Sequence, residues 1–87
     1  MTDATITEVL FFPHAGVEVV RLTADDTNTY TAQFLSKVIS GQAHLEVNVA
    51  ASDGVGLTYD SDRRVITINL VGTTTNAVVS LTLHGYV

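Results

Sequence analysis

The chain has 87 residues, nine Asp and Glu against four Lys and Arg, and a net charge of −5. It has no cysteine, which excludes disulfides and thiolate zinc sites. Its scattered cations (Arg21, Lys37, Arg63 and Arg64) cannot form the basic stripe that neutralises phosphates, so nucleic acid and anionic membrane surfaces are excluded as partners.

This length makes one small domain, residues 1–87, that folds alone only marginally. Without disulfides or a thiolate metal site, oligomerisation is the route left to extra stability. Charged residues are 15% of the chain, below the ~25% usual for globular domains. Part of the surface is therefore expected to face a neighbour and not water. Thr and Val, both β-branched and suited to pleated surfaces, occur thirteen times each. No apolar run approaches the ~18 residues of a helical membrane span. The start, "MTDATITEV", lacks the basic and apolar regions of a secretory signal, so synthesis in a cytoplasm is expected.

In chain order, "TITEVLFF" (5–12) reads as a strand with both faces partly covered at its end. "PHAG" (13–16) is a turn. "VEVVRLT" (17–23) has Val17 and Val19 inward, then Val20 and Leu22; the phase switch suggests a β-bulge, or else a strand buried on both faces. "ADDTNT" (24–29) is a polar loop. "YTAQFLSKVI" (30–39) fits an extended segment, with a short helical turn near 34–38 as the competing reading. "SGQ" (40–42) separates it from a half-buried strand at 43–50, where Ala43, Leu45, Val47 and Val49 face one way. "ASDG" (51–54) is a turn, "VGLTY" (55–59) a short strand, and "DSDR" (60–63) a hairpin connection. "RVITINL" (64–70) puts Ile66, Ile68 and Leu70 inward, and "VGTTTN" (71–76) is a polar loop. In "AVVSLTLHGYV" (77–87), Val79, Leu81 and Leu83 point inward, and Gly85, Tyr86 and Val87 lie beyond that alternation. The spacing predicts an all-β fold: a small antiparallel β-sandwich or barrel-like domain of six to seven strands.

The chemistry-bearing residues do not form a known catalytic pattern. His14, His44 and His84 lack the local spacing of a metal site, and no metal or cofactor is expected. Asp25, Asp26, Asp53, Asp60 and Asp62 sit in loops without EF-hand spacing, and bonding to their own backbone is the simpler role. Asp60 and Asp62 face Arg63 and Arg64 as an exposed charge cluster. No serine lies in a nucleophile elbow and no glycine-rich phosphate loop is present. Glu8, Glu18 and Glu46 lie singly on strands, and a chain this short leaves little material for a cleft between paired carboxylates. An enzyme is not expected. Tyr59 and Tyr86 could stack on sugars, but core or interface roles suit them better.

The cysteine-free, Thr-rich alternating strands "AHLEVNVA" and "RVITINL", and the final strand "AVVSLTLHGYV", resemble in general character the small β-rich structural proteins of tailed-bacteriophage virions. That resemblance implies a capsid-decorating or head or tail accessory role. It implies a major capsid or other virion protein as partner, location in the virion, and a homo-oligomer such as a trimer. Apolar or amphipathic residues at a turn or terminus are the expected contacts: Phe11, Phe12, Pro13, His14, Tyr86 and Val87. The competing expectation is a carbohydrate or host-surface binding module acting through loops 24–29 and 71–76.

Overall fold

The computed structural model describes residues 2–46 and 53–87. Seven strands are formed: β1 (Thr5–Phe12), β2 (Val17–Ala24), β3 (Thr29–Thr31), β4 (Lys37–Leu45), β5 (Gly54–Tyr59), β6 (Val65–Val71) and β7 (Ala77–Tyr86). All strand pairs are antiparallel. They build a four-stranded sheet, β1-β2-β7-β4, over a three-stranded sheet, β3-β6-β5. The domain is a small β-sandwich. β2 lies beside β7 and β3 beside β6, so the first half of the chain runs alongside the second like a long hairpin folded over.

The core takes the inward positions expected of β6 and β7 and Val20 and Leu22 of β2, while Val17 and Val19, also expected inward, lie on the outer face. Val20, Leu22 and Ala24 of β2, Val79, Leu81 and Leu83 of β7, and Val38 of β4 are buried against Tyr30, Leu35, Ile66, Ile68 and Leu70.

Four local readings change. The turn near 34–38 is not helical; residues 33–36 form a bend between β3 and β4. The bend is held because the Glu18 carboxylate accepts the backbone N–H groups of Gln33, Phe34 and Leu35 at 3.0, 2.9 and 3.1 Å. These are donors that a first helical turn would leave open. Ser40-Gly41-Gln42 is no separator, since β4 runs through it. A Cβ on Gly41 would lie 2.7 Å from Tyr59 Oη and 2.9 Å from Leu83 Cδ2, so this glycine allows close packing, not a turn. Of the expected strand at 43–50, residues 43–45 close β4 and 47–50 lie outside the described residues, as do 51–52 of the next turn. Finally, β2 is regular against β7, with Glu18, Val20, Leu22 and Ala24 all inward. The bulge sits instead in β1, between Ile6 and Glu8, and a second one lies in β4 between Val38 and Ser40.

Candidate interaction surface

Every residue expected to make contacts lies at one end of the sandwich. β1 arrives there at Phe12, the turn at 13–16 reverses the chain, β2 leaves from Val17, and β7 ends there at Tyr86. Phe12 pairs with Val17 and Val17 with His84, which places these residues in one row across the outer face of the larger sheet. The turn docks on β7 through the Gly85 N–H, which donates to the Gly16 carbonyl at 2.9 Å. Gly16 has φ +63, and a Cβ on it would come within 2.4 Å of the Gly85 carbonyl oxygen, so only glycine fits. Phe12 is 49% exposed, Tyr86 62% and Val87 65%; Pro13 and His14 are also exposed, and Phe11 is half-buried.

Gly85 and Tyr86 do serve the domain itself, contrary to the reading that placed them outside the last strand's pattern. Gly85 pairs with Val38 and Tyr86 with Lys37 in the β4–β7 ladder. The Tyr86 carbonyl also accepts the Ser36 N–H at 2.7 Å. Among the described residues no hydrogen bond engages the Tyr86 hydroxyl, and the Tyr86 and Val87 side chains are exposed.

Sequence reasoning missed two members of this end. Phe34 stacks on Phe11, with ring centroids 4.8 Å apart and 11° between planes. Glu18 is fully buried opposite Phe11 and fixes the backbone on which Phe34 sits. Besides the three N–H groups of the bend, its carboxylate accepts the Tyr30 hydroxyl. Burial and the neighbouring Glu18 carboxylate push the Tyr30 phenol far above its ordinary range. No local signal marks Glu18, because the inward reading of Val17 and Val19 would turn it outward.

The remaining candidates are dispersed or engaged. β4 and β7 pair, yet His44 lies opposite Ser80 and His84 opposite Ser40. Four residues of strand separate the two histidines, roughly 13 Å. Among the described residues no group of three His, Cys, Asp or Glu could hold a metal ion. Asp60 and Asp62 do not pair with Arg63 and Arg64. Asp60 Oδ1 instead accepts the backbone N–H groups of Arg64 and Val65 at 2.9 and 3.1 Å, which lowers its pKa. Arg63 donates to the Val38 and Ile39 carbonyls at 2.7 and 3.0 Å and lies over the Tyr59 ring. Arg64 donates to the Ala32 carbonyl at 3.2 Å. Among the described residues the ion pairs both belong to Arg21, with Glu46 and Glu8.

The opposite end carries loops 24–29 and 71–76, which are tied to each other. Asp25 Oδ1 accepts the Asn76 N–H, Asp26 Oδ1 the Leu70 N–H, and the Thr74 carbonyl the Asp26 N–H. Thr27 is held at φ 67, where a β-branched residue is strained. The Asp25, Asp26 and Asn28 side chains are thus engaged in holding these loops. A cleft of about 390 Å³ opens between Ile6 of β1 and residues 29–33, bordered by Asp3 and Ala4. Its ionisable lining groups are Asp3, bonded to the Thr29 hydroxyl at 3.1 Å, and Tyr30, bonded to Glu18.

Compared with known proteins, the chain matches no family model, no curated protein and no solved structure.

Proposed function

We propose that this protein is a non-catalytic structural subunit that binds its neighbours through the end of the sandwich formed by Phe11, Phe12, Pro13, His14, Tyr86 and Val87. One observation carries the reading. Residues far apart in sequence converge on one end, and their exposed apolar side chains stand on a backbone fixed by Gly16, Gly85 and Glu18. Grouped apolar exposure on a rigid frame is what a contact surface requires. The proposed setting is a bacteriophage virion, with the protein decorating the capsid or serving as a head or tail accessory part. Each bound copy would favour the assembled state by mass action. Sandwich folds host many unrelated functions, so the fold does not choose between assembly and sugar binding. The mutually bonded loops at the other end favour assembly.

Particles assembled without the protein provide the test. The wild-type chain should co-sediment with them. The double variant Phe12→Ser/Tyr86→Ser should lose most of that binding while keeping its far-UV spectrum. A wild-type chain that ignores such particles but is retained on a glycan column would overturn the proposal in favour of a binding module.

A further inference from the structure

We infer that β1 is a self-pairing edge: two copies of this chain join their β1 strands antiparallel about Leu10, continuing the four-stranded sheet across a twofold axis. The inference deepens the assembly proposal by naming a second copy as one of the neighbours.

A sheet edge presents a row of unpaired N–H and C=O groups, and folded proteins normally blunt it. Among the described residues, three of the four edges are blunted. On β3, Thr29 gives its N–H to the Thr2 carbonyl and its carbonyl accepts the Ala4 N–H, at 3.0 and 2.9 Å. On β4, the first carbonyls are taken by Arg63, the Val38 N–H donates to the Arg63 carbonyl, and Ile39 forms the bulge. β5 is short and interrupted by Gly54 and Gly56. β1 has eight residues, with no proline and no lysine. Among the described residues it forms backbone bonds only with β2 and, through the Phe12 carbonyl, with its own turn at Ala15.

The side chains beside this edge suit an added strand on both faces. On the outer face Leu10 is 56% exposed next to Phe12, with Val19 and Val17 behind them on β2. On the inner side the Phe11–Phe34 stack closes the sandwich, and Phe34 remains half exposed.

Register argues for a second copy. The bulge between Ile6 and Glu8 ends the regular ladder on one side and Pro13 ends it on the other. The regular stretch is therefore Glu8–Phe12, whose midpoint is Leu10. A copy pairing over the whole stretch places Leu10 opposite Leu10 and Val9 opposite Phe11. Glu8 then lies opposite Phe12 and stays near its own Arg21. Pairing about Glu8 would instead oppose two carboxylates, which is destabilising.

Because the chain has no cysteine, one substitution reports the geometry. Leu10→Cys on the full chain should oxidise to a disulfide-linked dimer under mild oxidant. Gln42→Cys, on the same outer face but over β4, should stay monomeric. In sedimentation equilibrium the wild type should be a dimer, and Leu10→Lys should be a monomer with unchanged far-UV spectrum and melting temperature. A wild type that stays monomeric at millimolar concentration overturns the inference, and so does Leu10→Cys cross-linking no better than Gln42→Cys. Binding of the Leu10→Lys variant to particles assembled without the protein is read separately. Retained binding there leaves the functional proposal standing whatever the fate of the dimer.

Discussion

Glu18 is the residue on which most other groups converge. Its carboxylate is fully buried, and it is acceptable there because backbone donors and the Tyr30 hydroxyl surround it. Glu18→Ala would orphan the buried Leu35 N–H and Tyr30 hydroxyl, each costing about 1–3 kcal/mol when left without a partner, and would release the part-buried N–H groups of Gln33 and Phe34. Native stability is only about 5–15 kcal/mol. The variant should therefore be largely unfolded in urea concentrations that leave the wild type folded. Tyr30→Phe removes one bond to a charged acceptor and should cost about 1.5–3 kcal/mol at neutral pH. The sign of its pH effect follows from the raised phenol pKa. The unfolded chain releases this proton near pH 10, while the folded one retains it. The stabilisation is complete below that pH and falls as the pH rises further. Melting temperatures of Tyr30→Phe should accordingly decline less steeply on the alkaline side. None of this was legible from the sequence, because a glutamate among valines fits an outward position as well as a capped inward one. Only its distant partners, 12 to 17 residues on, decide.

At the scale of the strand and the turn, legibility followed the source of the signal. β6 and β7 alternate cleanly because one face of each is core, and both were placed from the pattern alone. β4 was misread because Ser40-Gly41-Gln42 has turn composition. Its glycine answers to Tyr59 and Leu83, which lie far away in sequence. The end of β7 was misread for the same reason. A Cβ on Gly85 would sit 2.0 Å from the Lys37 carbonyl oxygen and 3.0 Å from Val38 Cα, contacts with a strand the local pattern does not reveal. Gly85→Ala should force β4 and β7 apart at this end and cost about 1–3 kcal/mol, read as a lowered midpoint in urea. The β5–β6 turn gives a second expectation. The N–H groups of Arg64 and Val65 hold Asp60 below its usual pKa. The stability it adds is present above the unfolded value near pH 3.9. That stability is lost as the pH falls through the lower, folded value. Asp60→Asn should therefore lose less melting temperature than the wild type between pH 5 and pH 3.

For the molecule as a whole, composition and spacing gave the class of fold but not the convergence of Phe11, Phe12, Pro13, His14, Tyr86 and Val87 on one end. What joins them is topology, which alternation does not encode: β7 lies between β2 and β4, so a residue numbered in the eighties meets a turn numbered in the teens. That placement has a consequence for how the chain reaches its native state. One of the two inner strands of the larger sheet, β7, is the last of the seven described along the chain. Until residues 77–86 arrive, the β1–β2 hairpin and β4 have nothing between them, and each presents a raw edge. Closure must then bring distant segments together in one step, which places folding among the slower, long-range β topologies, in milliseconds to seconds. A nascent chain that has made only its first six strands is a set of open hairpins, and its exposure to misassociation lasts until the seventh is released.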